Sequence, residues 1–495
     1  MSGSLWPRRA AGVGAAAIPL PPPRSAPVAA VDGPGADPLD GLAVRLAEVS
    51  AEAVHPDEIA AVIEADGMND DHIRLAYGRE DSFALAEELY ARVEHRRHPR
   101  PPVPDPLPWH TGLGDALLRG LVFALPGLAY LLGGPLAAGP PGRHGLPAGT
   151  VPLIAAAVTG WMWNQALAHR AYAWLGLGDR QAAARALLLG APAGALAGTA
   201  AACLAAGPGE WGGAAFAAGQ SLYLAAATVL LVLGRPAALL AALAPLVAAT
   251  PLAYAVELPG AARTAVLLGC LATAAALAVR ALRPGGAWPS AGPKGRAAPR
   301  RADCLPYALF GLGTGSLVLY AAIGDLLAGG GPARTALGLV DAAALTLSMG
   351  PAEWLLHRFR DAGAAGLRSA TAPAAFRRAT AGVLAGCLGA YLTVLALLAA
   401  LGSLAVPAAG GPPATRLAAL LLLGTVLWSA LLLQSFGAVV PAALVCAAAA
   451  ATQTAAPALG AGDPHTVAAG STGAAALLLA VLGCALLGRA TAHRR

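Results

Sequence analysis

Asp341 is the acidic residue that lies deepest inside an apolar run of this 495-residue chain, and a carboxylate in such a place needs a reason. Counted from Arg334, it stands about seven residues into its run, which at 1.5 Å per residue is roughly 10 Å below the surface of a bilayer. A charge at that depth is costly enough to be neutralised, paired or turned toward a water-filled cavity. Two readings follow: a proton or cation site, with Ser348 two turns further along the same helical face, or a protonated acid hydrogen-bonded to a neighbouring helix. Glu353 does not share that face, because twelve residues turn a helix by about 120°. It precedes His357 by four residues, the spacing of an ordinary helical pair. Asp325, near the end of the preceding apolar run, is expected to be a solvated acid at the membrane interface.

A second set of polar residues is Thr159, Trp161, Trp163, Asn164 and Gln165. Uncharged amides can bind hydroxyl-rich head groups, and tryptophan faces stack on sugars; the same groups can equally join one helix to another. His169 and Arg170 follow directly, and His357 and Arg358 stand at a matching place 188 residues later. Such cations at helix ends anchor topology by snorkelling, or form an inner gate. The sequence holds no Walker loop, metal triad or nucleophile elbow, so neither a cofactor nor an enzyme activity is expected, although a lipid-active transferase with dispersed residues would not be found this way. The six cysteines are scattered singly, without metal or redox spacing.

The elements that carry these residues are membrane helices. The chain is 57% hydrophobic and only 12% charged, with a mean hydropathy of +0.61, which excludes an ordinary soluble domain. Beyond Gly112 it consists of apolar runs of about 20 residues, each long enough to cross roughly 30 Å of hydrocarbon. The expected fold is all-α, with about twelve transmembrane helices arranged as two six-helix lobes, residues 116–282 and 305–489. The inner loops and C-terminal tail of that arrangement hold about 18 Arg or Lys, and the outer loops hold four, Arg143, Arg263, Arg334 and Arg416. An even number of spans with both termini cytoplasmic satisfies this bias, in a bacterial-type inner (plasma) membrane. Residues 283–304 form a basic, Pro/Gly-rich cytoplasmic linker, and residues 490–495 a short cytoplasmic tail.

The front of the chain differs in charge. Residues 1–115 hold 10 basic and 18 acidic side chains, and the remainder 23 and 9, which sum to the 33 and 27 of the whole. Residues 1–37 read as a disordered Ala/Pro/Gly leader rather than an export signal. Residues 38–97 read as a small cytoplasmic domain of three or four helices: Pro56 suits a first turn, Asn69, Asp70 or Asp71 can cap one helix and Asp81 or Ser82 another, and Phe83, Leu85, Leu89 and Val93 mark an apolar side. The Asp66–Asp71 acids lack calcium-loop spacing, and an acidic domain repels phosphates, so a cytoplasmic protein partner is expected and nucleic acid is not. A Pro-rich linker, residues 98–115, joins this domain to the membrane.

The His169–Gly198 stretch and the His357–Gly386 stretch also align without a gap: His-Arg on His-Arg, Gly178 on Gly366, and Ala193-Gly194-x-Leu196-Ala197-Gly198 on Ala381-Gly382-x-Leu384-Ala385-Gly386. The echo falls on spans 2 to 3 and 8 to 9, a displacement of six spans, as a duplicated half requires.

The loop Gly176-Leu177-Gly178-Asp179-Arg180-x-x-x-Ala184-Arg185 resembles the equivalent loop of the multidrug, oligosaccharidyl-lipid and polysaccharide exporter superfamily. The resemblance covers about ten residues of motif, plus the architecture of residues 110–490. It implies two six-helix lobes around a central cavity, alternating access, and a lipid-linked saccharide or another amphipathic molecule as cargo. The second copy departs from it, with Leu367-Arg368 in place of Asp179-Arg180. The first half has no acid in mid-span, since Asp115 and Glu257 stand at span ends, and Arg119 is the one cavity arginine the sequence offers. The resulting expectation is an exporter or flippase, with Asp341, Ser348, Asn164, Gln165 and Trp161 on the substrate or ion pathway and His169, Arg170, His357, Arg358, Asp179 and Arg180 as gate or anchors. The competing reading is a membrane scaffold that does not transport, in which residues 38–97 recruit a partner.

Overall fold

The computed structural model describes residues 38–53, 55–92, 112–136, 146–283, 299–369, 373–404, 414–460 and 464–488. The leader, most of both linkers and the C-terminal tail lie outside these residues. The chain divides into two compact units, with the boundary between Pro108 and Trp109. No strand occurs among the described residues.

The smaller unit has five short helices: α1 (Pro38–Arg45), α2 (Ala47–Glu52), α3 (Pro56–Ala65), α4 (Asp70–Tyr77) and α5 (Ser82–Arg92). Its first apolar stretch, expected as one helix, is interrupted at Leu46, where the backbone leaves helical geometry. Of the capping candidates, Asn69 accepts a 2.9 Å hydrogen bond from the His72 amide, and Asp81 accepts one of 2.8 Å from Ala84. Gly67 and Gly78 take the left-handed φ values of +83° and +69° that end α3 and α4. Leu39, Leu42, Ile59, Ile63, Ile73, Leu85 and Leu89 close a core of their own. Phe83 departs from the expected apolar side and is exposed, and Val93 lies outside the described residues.

The larger unit is a polytopic α-helical membrane body. Its helices are α6 (Leu113–Ala124), α7 (Gly127–Gly133), α8 (Thr150–Gly176), α9 (Arg180–Ala205), α10 (Trp211–Val232), α11 (Pro236–Ala255), α12 (Gly260–Leu282), α13 (Leu305–Leu327), α14 (Pro332–Leu347), α15 (Met349–Ser369), α16 (Pro373–Ser403), α17 (Ala414–Ser435), α18 (Val439–Ala458) and α19 (Pro464–Leu487). Among the described residues, eleven segments are long and apolar enough to cross a bilayer, with α6–α7 and α14–α15 each counted as one. The remaining helix, α8, has 27 residues and is long enough, but its tryptophans, amides and His-Arg pair lower its hydropathy. It is enclosed by α9, α10 and α13, so protein rather than lipid surrounds much of it. Exposed leucines such as Leu196, Leu204, Leu397 and Leu477 cover the outside of the body, as a lipid-facing surface requires.

Two separate apolar cores divide the helices. One is built from α6 to α12, the other from α13 to α19. In the first group α8, α9 and α10 pack on one another, α12 packs on α10 and α11, and α6 and α7 lie against α11. In the second, α16 packs on α14, α15 and α17, α19 packs on α17 and α18, and α18 lies against α13. The extensive contacts between the groups are α8 with α13, and α6 with α14 and α15. Glycine makes both possible. A Cβ on Gly350 would lie 2.6 Å from the Ala116 carbonyl oxygen, and one on Gly311 would lie 2.5 Å from that of Trp161.

Candidate functional site

Between the two helical groups lies a cavity of about 2210 Å³, several times the 300–1,000 Å³ of an ordinary small-molecule pocket. Its walls come from α6 to α8, the start of α9 and α10 to α12 of the first group, and from α13, α14, α15 and α17 of the second. They are mostly apolar, with polar groups at two levels.

The middle level belongs to α8 and α10. Trp161, Asn164, Gln165 and Gln220 all line the cavity. The buried Asn164 Oδ1 and Gln220 Oε1 accept no hydrogen bond within the protein. The Trp161 ring lies over Gly315 of α13, where a Cβ would sit 2.2 Å from it. Trp163 points elsewhere: its indole donates 2.8 Å to the Gly190 carbonyl and stitches α8 to α9.

The other level lies toward the end of the body where α8 meets α9, α10 meets α11 and α15 meets α16. Arg119, Arg180, Arg235 and Arg360 all line the cavity here, so Arg119 is not the single cavity arginine that the sequence suggested. Arg180 and Arg235 sit at helix starts, and Arg360 lies within α15 beyond its apolar run, where a linear reading assigns all three to loops. Glu353 keeps its expected i to i+4 pairing with His357 at 3.9 Å, and it also accepts from Arg119 Nε at 2.6 Å across the two groups, the shorter contact of the two. His169 lines the cavity and stacks on Tyr307 of α13, with ring centroids 3.6 Å apart. Arg170 lies against the Cys304 thiol, and Arg358 sits 5.9 Å from the Trp354 ring. Asp179 caps α9 by accepting from the Ala182 amide at 2.8 Å, just after Gly178 has ended α8 at φ +81°. The Gly-Asp-Arg loop is therefore explained locally by helix termination and capping.

Asp341 lies outside the cavity lining. Arg416, two residues into α17, donates from Nε to Asp341 at 2.7 Å and from Nη1 to Asp325 at 2.6 Å. His465, at the start of α19, lies 2.8 Å from the other Asp325 oxygen. Arg416 and Asp325 are 5% and 8% exposed, so neither is the solvated group expected of it; each is buried because it neutralises the other. Ser348 is not on a continuous face with Asp341. The helix breaks there into α14 and α15, and the Ser348 hydroxyl bonds the Leu345 carbonyl at 2.8 Å and meets the Tyr391 hydroxyl at 3.3 Å. The first group has a buried acid that the sequence gave no reason to single out: Glu210 accepts from the Gly207 and Gly149 amides at 2.7 and 3.3 Å, closing the turn between α9 and α10.

Fold and site together define a multi-pass α-helical membrane protein with a large internal cavity between two helical groups. No family model, curated protein or solved structure matches the chain.

Proposed function

We propose that this protein moves an amphipathic substrate, of the lipid-linked saccharide kind, across the membrane by alternating access of its two helical halves. The observation that carries the reading is the 2210 Å³ cavity, shared by both halves, apolar in its walls and furnished with amides and arginines. Apolar walls suit acyl or prenyl chains, Asn164 and Gln220 suit hydroxyl donors, and guanidinium groups suit an acidic head group. The packing pattern supports an origin in two related halves. Contacts of α8 with α9, α10 with α12, and α11 with α12 have counterparts in α15 with α16, α17 with α19, and α18 with α19. The two cross-contacts exchange under the same six-span displacement. By the positive-inside rule the arginine-rich end faces the cytoplasm, with both termini on that side. Exposed Leu75 and Val44 offer the N-terminal domain a surface for a cytoplasmic protein partner.

The test is reconstitution of the full chain in liposomes containing a fluorescent polyprenyl-diphosphate saccharide, with dithionite quenching to follow its movement between leaflets. The wild type accelerates that movement. Asn164→Leu removes an acceptor that has no internal partner, and slows it by about tenfold, the worth of one hydrogen bond, at unchanged stability. Movement at the protein-free rate overturns the reading and favours a membrane scaffold instead.

A further inference from the structure

Arg119 and Glu353 belong to different helical groups, α6 of the first and α15 of the second, and meet on the wall of the cavity. They flank a crossing made of backbone, since a Cβ on Gly120 would lie 2.8 Å from the Gly350 nitrogen. Such a crossing leaves little room for interlocking side chains, so the charges beside it matter to whether it holds. The pair rests on one hydrogen bond. Arg119 Nε donates to Glu353 Oε2, the other carboxylate oxygen accepts no hydrogen bond, and the contact with His357 is 3.9 Å long. Among the described residues Nη1 and Nη2 of Arg119 have no partner, and these two make the planar fork that grips a phosphoryl group. Access is open, because the side chains of Arg119 and Glu353 are 23% and 19% exposed and both line the cavity. The charged lining also favours an incoming anion: Arg119, Arg180, Arg235 and Arg360 stand against Glu353 and Asp361, four positive charges against two negative with His169 neutral.

We infer that the Arg119–Glu353 pair is a latch between the two halves, which a phosphoryl anion releases by taking the Arg119 guanidinium from Glu353. A phosphoryl group on Nη1 and Nη2 gains two charge-assisted hydrogen bonds, whereas Glu353 gives up one. The anion and Glu353 then repel each other across a single guanidinium, and the carboxylate held by one bond is the partner that leaves. A ligand shifts a conformational balance by preferring one state, and this anion prefers the state in which α6 and α15 are no longer tied. Where the anion is the head group of the cargo, loading is what permits the halves to part. That coupling rests on the transport reading above; the exchange of anion for carboxylate does not.

Two measurements test the exchange and the coupling separately. In the first, the full chain in nonionic micelles is unfolded with urea, an uncharged denaturant that leaves anion sites alone, as wild type, Arg119→Gln, Glu353→Gln and the double variant. Without an anion the cycle gives a coupling of about tenfold in the unfolding constant. With saturating inorganic pyrophosphate the coupling vanishes, because the anion holds Arg119 in the wild type and in Glu353→Gln alike. Coupling that survives pyrophosphate overturns the exchange and leaves a static strut; absence of coupling without the anion overturns the latch. Hydrogen exchange of the wild type serves if the variants do not fold: amides of α6 and α15 beside the crossing lose protection when pyrophosphate is added, and unchanged or raised protection overturns the release. In the second, liposomes carry either the polyprenyl-diphosphate saccharide or an analogue without phosphate. The wild type moves the diphosphate lipid about tenfold faster, the worth of one charge-assisted hydrogen bond, and Glu353→Gln, already unlatched, loses that preference by moving the neutral lipid faster. Equal wild-type rates for the two lipids overturn the coupling and leave a site for a free anion. Absence of any lipid movement counts against the transport reading, and the urea cycle still decides the exchange.

Discussion

At the scale of single residues, the structure turns on how a low-dielectric interior treats charge. Asp341 was legible as unusual because an acid inside an apolar run always needs an explanation. Its partner was not, because Arg416 follows Asp341 by 75 residues and nothing in a linear chain announces that distance. One signal was available. Arg416 stands on the side where positive charge is scarce, and so asks for a local counter-charge; Asp325, Asp341 and His465 all fall at span ends or depths on that same side. The same logic runs more weakly in the N-terminal domain, where Glu88 is flanked by Arg79 and Arg92. The hydrogen bond from Arg79 lowers the Glu88 carboxyl below its ordinary value of 4.5. A depressed folded value means stabilisation that is complete above the unfolded value and disappears as pH falls through the folded one. The protection factors of the amides at residues 82–92 of the full chain, taken relative to intrinsic exchange at each pH, should thus fall below about pH 4.5. Arg79→Met should raise exchange at neutral pH and flatten that acid dependence; an unchanged profile would show that the pair contributes nothing to the helix.

At the scale of elements, apolar runs and turn residues located most helices, while the exceptions mark where tertiary packing overrides composition. The run from Leu305 to Leu327 is a helix over the length its composition requires. By contrast, α8 is long enough to span but falls short in hydropathy, and its neighbours α9, α10 and α13 relieve much of it of lipid. The break between α14 and α15 falls at Ser348, before Gly350 and Pro351, where α15 touches α6. A sequence reader sees Gly-Pro as a possible kink but cannot see that the glycine exists for Ala116 on another helix. Gly350→Ala brings a Cβ within 2.6 Å of that backbone oxygen, which cannot swing away as a side chain would. It should destabilise the body by about 1–3 kcal/mol. Gly382→Ala is the matched control, since nothing lies within 4 Å of its Cβ position, and it should be neutral or gain up to about 1 kcal/mol of helix propensity. Dodecyl sulfate midpoints in mixed micelles compare the two. Equal midpoints would mean that the α6–α15 contact has room to spare.

At the scale of the whole molecule, the His-Arg echo at a spacing of 188 residues raised the expectation of two halves, and the helices fall into two groups with separate apolar cores. The cavity between them was not legible in the sequence, because it is defined by the absence of side chains from many helices at once. Its arginines illustrate the point: Arg180, Arg235 and Arg360 look like loop cations in sequence and line a shared cavity in space. Which way that cavity's arginine-rich end faces decides whether anionic cargo is collected from the cytoplasm or from outside. The chain supplies its own probe, because Lys294 is its single lysine and lies in the basic segment between the two halves, outside the described residues. In the orientation proposed above, that segment lies in the cytoplasm. A membrane-impermeant amine reagent should therefore label the protein in inverted vesicles and leave it unlabelled in intact cells. Labelling of intact cells would reverse the orientation. The arginine-rich end of the cavity would then face the outside, and the same machinery would serve uptake rather than export.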